Sequence, residues 1–172
     1  MRRGRIAVLT GPLGSGKTAT CLKLADLARQ RGLDCAGIIS PARFKGGVKV
    51  GIDALDVRTG QHRPLAEADD SPSDLCTARY RFDADAMAWG AAILALACPC
   101  DVLIVDEIGP LELERGQGWA NGLSTLRAGQ FGLAVVVVRP SLVDAFRATV
   151  GDMSLSLFTP PFTDVARYFA AL

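Results

Sequence analysis

The chain has 172 residues, of which 19 are Lys or Arg and 18 are Asp or Glu, so its formal net charge is +1. Such a balance creates no strong field for attracting nucleic acid or an anionic membrane, and we expect neither as a partner. A small anion is the expected ligand. The length suits a single domain covering residues 1–172, large enough to bury a core without a structural metal or disulfide.

The N-terminal residues do not have the pattern of an export signal. Residues 1–5 are rich in arginine, but only the short apolar run 6–9 follows before a glycine-rich segment. A signal peptide needs a longer apolar region. The longest uncharged stretch, residues 86–100, is shorter than the ~20 residues that cross a bilayer. We therefore expect a soluble, cytoplasmic protein.

The strongest motif lies at residues 11–18, where GPLGSGKT fits the pattern G-x-x-x-x-G-K-[ST]. The apolar run before it predicts a strand over 5–10, and the periodicity after it predicts a helix over 17–31. A glycine-rich turn without a ligand is the alternative, but it gives no reason for the Lys-Thr pair. The residues predicted to bind the nucleotide are Gly11, Pro12, Leu13, Gly14, Ser15, Gly16, Lys17 and Thr18.

Each residue type in this loop has a physical role in phosphate binding. Glycines allow successive backbone N–H groups to face one phosphate, and the following helix N-terminus adds partial positive charge. Lys17 is expected to contact the β- and γ-phosphates as a catalytic residue, and the Thr18 hydroxyl to coordinate Mg²⁺, the expected cofactor.

The next segment changes from helical to strand-like periodicity. Residues 35–39 predict a short strand, and residues 48–57 largely alternate between polar and apolar side chains before a turn at 58–61. A short partner at 63–66 completes the pattern. We predict a β-hairpin, inserted at about 44–66 beside the main sheet, which could cover the nucleotide.

The rest of the chain alternates between helical and strand-like segments. Its predicted elements are a loop over 67–82, a helix over 84–97 capped by Asp83, a strand over 101–107, a charged loop through Glu112, Glu114 and Arg115, a helix over 117–129, strands over 133–138 and 155–158, and a helix from 163. Continuous apolar runs are typical of strands buried on both faces. The sequence therefore predicts a three-layer α/β domain with a mainly parallel sheet.

Two acids, Asp106 and Glu107, follow the buried strand 101–107 at the sheet edge that should also hold the phosphate loop. We assign Asp106 to Mg²⁺ and Glu107 to orienting and deprotonating the attacking water. One alternative is that both are solvated strand-end acids. Another is a GTPase switch motif running from Asp106 to Gly109, but the chain has no Lys-x-Asp segment with which to recognise guanine.

Three arginines could neutralise charge on the γ-phosphate. Arg139 follows a buried strand and ranks first, Arg43 borders the hairpin and ranks second, and Arg115 ranks third. Any of them could equally be a surface residue. The one histidine, His62, is expected to be an exposed hairpin residue without a catalytic role.

Several of these motifs together resemble one known family. GPLGSGKT, the glycine-marked hairpin with KVGIDALDVRTG, and LIVDEIGPLEL look like the nucleoside-triphosphatase family known as THEP1 or cancer-related NTPase. The resemblance implies a RecA-like (ASCE) P-loop NTPase fold and Mg²⁺-dependent hydrolysis of ATP, GTP and other NTPs to the diphosphate and phosphate. It makes residues 11–18 the Walker A motif, and Asp106 with Glu107 the Walker B motif.

Three function classes remain compatible with the sequence. The first is an NTPase with low base selectivity, since no element for recognising one base is visible in the sequence. The second is a P-loop kinase that transfers the γ-phosphoryl group to a small nucleoside, nucleotide or cofactor precursor. The third is an NTP-gated binding module with the hairpin as its partner surface; the sequence identifies no protein partner.

Overall fold

One mixed β-sheet connects the whole fold in the computed structural model, which describes residues 4–68, 76–77 and 80–170. The strands are β1 (Arg5–Leu9), β2 (Cys35–Ile39), β3 (Ala42–Lys45), β4 (Val48–Asp56), β5 (His62–Ala68), β6 (Cys76–Thr77), β7 (Tyr80–Phe82), β8 (Cys100–Ile108), β9 (Phe131–Val138) and β10 (Leu155–Phe158). The helices are α1 (Lys17–Gln30), α2 (Ala84–Ala95), α3 (Pro110–Leu113), α4 (Ala120–Ala128), α5 (Val143–Val150) and α6 (Thr163–Ala170), with a turn of 3-10 helix at Pro140–Leu142.

The parallel half of the sheet has the strand order β10-β1-β9-β8-β2. Four of its strands, β1, β2, β8 and β9, are largely buried on both faces because alternate residues point into two different cores, whereas the edge strand β10 is partly exposed. Ile6 and Val8 belong to a core with α2, α4 and α5, whereas Ala7 and Leu9 belong to one with α1 and α6. The prediction of a three-layer α/β fold with a mainly parallel sheet is confirmed.

The antiparallel half of the sheet is larger than the predicted hairpin. β4 and β5 pair antiparallel, as the alternation indicated, but β4 also pairs with β2 and so continues the main sheet instead of lying beside it. β3 pairs with the other half of β4 along the same edge, and β7 extends β5. The prediction of a loop over 67–82 is wrong for the described residues, because β5 runs to Ala68 and is followed by β6 and β7. Residues 69–75 and 78–79 lie outside the described residues.

Two further boundaries differ from the prediction. The segment after β8 is not simply a charged loop, because it contains α3, which begins at Pro110. The next helix begins at Ala120 and not at 117, since Gly116 and Gly118 hold φ angles of +61° and +62° that a right-handed helix does not allow. Asp83 caps α2 as predicted, its side chain accepting the Ala86 N–H at 2.7 Å. No described helix is both long and apolar enough to cross a membrane.

The backbones of β2 and β8 lie close together at Gly37. Its φ is +115°, and a Cβ atom there would collide with the carbonyl oxygen of Ile104 on β8. Neither the backbone angle nor the space therefore admits a side chain at this position. Since Asp106 and Glu107, the predicted metal ligand and catalytic acid, lie near the end of β8, this contact fixes β2 beside them.

We expect Gly37→Ala to lower the free energy of unfolding by more than about 3 kcal/mol, because strain at positive φ adds to a backbone collision. Gly46→Ala is the matched control. It also has a positive φ, +57°, but open space around its Cβ, so it should cost only about 1 kcal/mol. Urea unfolding of the two variants measures the difference. Equal destabilisation would contradict the close approach of β2 to β8.

Candidate active site

The predicted phosphate loop connects the carboxyl end of β1 to the start of α1. Gly14 and Gly16 have φ angles of +74° and +90° with open space around their Cβ positions, so these sites require glycine for its backbone freedom. Gly16 caps α1 without a side-chain hydrogen bond, and the first turn of the helix contains no acid. The backbone N–H groups of that turn are thus free to bind an anion, and the helix dipole favours one.

The Lys17 ammonium group lies over the mouth of this loop. Nζ donates hydrogen bonds to the carbonyl oxygens of Gly11 at 2.8 Å and Pro12 at 2.6 Å, and lies 3.4 Å from the Ser15 hydroxyl oxygen. The cation is therefore held where the loop would enclose a phosphate. An entering phosphate offers it stronger, charge-assisted hydrogen bonds in place of these neutral ones.

Asp106 lies at the end of β8, facing the phosphate loop. The residue is 2% exposed, its carboxylate accepts the Ser40 N–H at 3.0 Å, and the Thr18 hydroxyl lies near that carboxylate. Burial raises the pKa of Asp106 to about 6, although Ser40, Thr18 and Lys17 lower it and Glu107 raises it. The two residues predicted to bind Mg²⁺ are thus neighbours.

This pair of side chains fits Mg²⁺ by its chemistry. Both offer oxygen atoms, the ligand type that Mg²⁺ requires. Within the described residues, no group of three or more His, Cys, Asp or Glu side chains could hold a metal by itself. A site with one hydroxyl and one carboxylate suits Mg²⁺, which usually keeps several waters and takes further ligands from substrate phosphates.

Glu107 departs from the regular strand geometry immediately after Asp106. The β8–β9 register shifts between Val105 and Ile108, and Glu107 has a φ of +82°, which is strained for a residue with a side chain. The irregularity turns this side chain toward solvent, where it is 46% exposed. Arg139, at the end of β9, donates from Nε to Glu107 Oε1 at 2.6 Å. The structure therefore brings together the acid and the arginine that ranked first among the candidates in the sequence.

Glu112 is a site residue whose position was not predicted from the sequence. Its carboxylate is buried and accepts the backbone N–H groups of Gly109 at 2.9 Å and Trp119 at 3.1 Å. Burial raises its pKa, and these two bonds lower it. The spacing of three residues between Gly109 and Glu112, typical of a capping box, was the available signal. Glu112 closes the loop that follows the two catalytic candidates.

A cleft of about 550 Å³, including its open mouth, begins at Asp106 and Glu107. It extends over the face of the sheet that α2 covers. One end is polar and the remaining walls are mainly apolar. The lining residues are Ser40, Ile52, Leu65, Phe82, Met87, Asp106, Glu107, Gly109, Pro110, Leu111, Glu112, Trp119 and Arg139.

Three other residues considered as candidates in the sequence lie apart from this cluster. Arg43 is held on the antiparallel strands by Asp53 at 3.3 Å and Glu67 at 2.8 Å, and it does not line the cleft. Arg115 is exposed. His62 is also exposed, with Nδ1 3.8 Å from a carboxylate oxygen of Asp53. A contact of Arg43 with a γ-phosphate stays a prediction.

Comparison with known proteins identifies a family. A family model described as NTPase matches residues 6–157. The nucleoside-triphosphatase THEP1 of Ignicoccus hospitalis is 36% identical over 107 residues, covering 62% of this chain and 60% of the relative. THEP1 of Thermofilum pendens is 29% identical over 154 residues, covering 88% and 84%. The match to the Caldivirga maquilingensis THEP1 likewise spans only 60% of that relative's length.

Solved structures show the same fold. A human cancer-related nucleoside triphosphatase superposes with a TM-score of 0.71 at 20% identity, covering 98% of this chain and 95% of the other. THEP1 from the hyperthermophile Aquifex aeolicus superposes with a TM-score of 0.67 at 17% identity, covering 98% and 96%. At 20% and 17% identity, the two solved structures show a shared fold alone, whereas the family model matches the sequence itself. The chain therefore belongs to the NTPase family and resembles the THEP1 proteins in sequence and fold.

Proposed function

We propose that the protein is a Mg²⁺-dependent nucleoside-triphosphatase that hydrolyses ATP, GTP and other NTPs to the diphosphate and phosphate with low base selectivity. The observation that carries the proposal is the closeness of the Thr18 hydroxyl, at the end of the phosphate loop, to the buried Asp106 carboxylate, whose pKa it lowers. Two oxygen groups of the kind that Mg²⁺ prefers therefore lie next to the phosphate loop. The relatives' name, nucleoside-triphosphatase, supports the same activity.

In this proposal the phosphate loop and Lys17 bind the triphosphate. The backbone N–H groups at the start of α1 take phosphate oxygens, and Lys17 exchanges the carbonyls of Gly11 and Pro12 for the β- and γ-phosphates. Thr18 and Asp106 hold Mg²⁺. When bound, the ion would supply positive charge to balance the charge that develops on the phosphates.

Glu107 is the proposed base and water-orienting residue. It directly follows Asp106 and its side chain reaches the open end of the cleft. The carboxylate accepts a proton from the water that attacks the γ-phosphorus. Arg139 is paired with that carboxylate at 2.6 Å, and its charge could act on the γ-phosphate only after this pair separates. A move of Arg139 toward the phosphate would release Glu107 to bind water. Arg43 could approach the γ-phosphate only by breaking its two ion pairs, with Asp53 and Glu67.

We expect phosphate release from ATP, GTP, CTP and UTP without any added acceptor, with kcat/KM values within about tenfold of one another. The loop binds the shared triphosphate, so the base contributes little differential binding energy. A phosphate-release assay with the four NTPs at equal Mg²⁺ measures both points. Diphosphate formation that requires an added acceptor would contradict hydrolysis, and a preference above about a hundredfold for one base would contradict low selectivity.

Glu107→Gln should bind Mg²⁺ and NTP normally but hydrolyse NTP at least ~100-fold more slowly, because an amide cannot accept the proton from water. Glu114→Gln, which changes an exposed acid near the same loop, is the matched control and should retain wild-type activity. Single-turnover hydrolysis and equilibrium binding of a fluorescent NTP separate the two effects. Normal hydrolysis by Glu107→Gln would show that another group is the base.

Asp106→Asn should abolish hydrolysis yet stabilise the nucleotide-free protein at pH 8. The folded-state pKa of Asp106, about 6, lies above the ordinary value of 3.8, so the ionised form destabilises the fold. This cost is fully present above pH 6 and disappears as the pH falls below 3.8. The variant should therefore gain about 1–3 kcal/mol at pH 8 and lose that advantage in acid.

Urea unfolding from pH 4 to pH 8, without nucleotide or metal, tests this prediction. Asp152→Asn, a change at an exposed acid, serves as the control and should leave stability nearly constant. A destabilised Asp106→Asn at pH 8 would mean that the charge contributes net stability through its hydrogen bonds.

A further inference from the structure

The cleft beside Glu107 has an apolar extension. A hydrolytic site needs room for one water molecule near Glu107 and the γ-phosphate, but here the space continues between β4, β7 and α2. Ile52, Phe82 and Met87 line this extension, together with the buried residues Leu65 and Trp119. Apolar walls of this kind bind the carbon skeleton of a ligand.

The extension lies on the opposite face of the sheet from the helix that begins at the phosphate loop. Leu65 and Trp119 belong to the core that α2, α4 and α5 cover, whereas Leu24 of α1 belongs to the core on the other face. A triphosphate on the loop would have its γ end near Asp106 and Glu107, because Lys17 and Thr18 of the loop lie close enough to Asp106 to lower its pKa. The apolar space therefore starts where the transferable phosphoryl group lies.

The charges around the cleft define the kind of molecule that fits it. Among the described residues of the lining, Arg139 is the one cation, and it is paired with Glu107; Asp106 and Glu112 add further carboxyl groups. A ligand with a phosphate or carboxylate would face these acids without a free positive partner. A neutral molecule avoids this cost. A hydroxyl group at its polar end would meet Glu107 in the position of the attacking water.

We propose that this cleft is an acceptor subsite for a neutral alcohol with an apolar, ring-sized body, and that the enzyme transfers the γ-phosphoryl group to its hydroxyl oxygen as well as to water. The proposal goes beyond hydrolysis but rests on the proposed function for its phosphoryl donor. The alcohol oxygen forms a bond to the γ-phosphorus, its proton passes to the Glu107 carboxylate, and the bond from the γ-phosphorus to the bridging oxygen breaks. That oxygen keeps the electron pair and leaves on the nucleoside diphosphate.

Binding can be followed directly at the cleft wall. The chain has three methionines; with ¹³C-methyl methionine, a Met87→Leu variant assigns the signal of Met87. Met153 packs against Gly129 away from the cleft and acts as an internal control. We expect 2-phenylethanol to shift the Met87 signal, with a dissociation constant at least about tenfold lower than that of ethanol. Phenylacetate, which has the same ring but a negative charge, should bind more weakly than 2-phenylethanol.

Transfer is measured with γ-³²P-labelled ATP, Mg²⁺ and 2-phenylethanol. We expect 2-phenylethyl phosphate to form, so that the amount of diphosphate exceeds the amount of free phosphate. Per mole of alcohol, 2-phenylethanol should yield at least about tenfold more phosphate ester than ethanol does. Ile52→Glu should lose ester formation but keep phosphate release from water within about twofold. Val48→Glu, a similar change at an exposed position of the same strand, should keep both.

The outcomes separate this inference from the proposed function. Phosphate release without ester, or an unchanged Met87 signal, overturns the acceptor subsite and leaves hydrolysis standing; absence of both products overturns the proposed function. Competition between ATP and 2-phenylethanol at Met87 would place the base in the cleft and also overturn the inference. If thermal unfolding shows that Ile52→Glu does not fold, Phe82→Ala replaces it and should weaken 2-phenylethanol binding by at least about fivefold.

Discussion

The burial of one carboxylate, that of Asp106, is the constraint on which the rest of the site depends. It is 2% exposed and therefore costs free energy unless hydrogen-bond donors surround it. Ser40, after β2, donates its N–H to the carboxylate, and the Thr18 hydroxyl at the end of the phosphate loop lies close enough to lower its pKa. Three strand ends must therefore meet at one edge, and the parallel order β1-β9-β8-β2 brings them there. The fold supplies this geometry, and a bound metal would offset its electrostatic cost.

The residues after Asp106 place a second, solvent-exposed acid next to this buried one. A left-handed conformation at Glu107, a strain of about 1–3 kcal/mol, directs its side chain outward beside Arg139. Glu112 fixes the following loop through the N–H groups of Gly109 and Trp119. One acid is thus buried and hydrogen-bonded, and the next is exposed and paired. Neighbouring acids in such different surroundings are suited to different tasks.

The sequence predicted those parts of the fold and site that depend on local pattern. Fully apolar runs identified β8 and β9, and the spacing of glycines with Lys17 identified the phosphate loop. The pairing of β4 with β2 was missed because alternation shows that a segment is a strand but not which strand it joins. Glu112 was assigned to a loop, since a carboxylate satisfied by backbone N–H groups looks in sequence like any solvated acid.

The position of β1 between β9 and β10 has a consequence for the order in which the site folds. The first strand of the chain pairs only with strands from its last third, so its partners are synthesised long after it. The hairpins β3–β4 and β4–β5 involve neighbours in sequence and can form early, whereas β1 must wait for a large loop to close. We therefore expect the phosphate loop to be anchored late in folding. In a chain that lacks β9 and β10, the strand that leads into this loop has neither of its sheet partners.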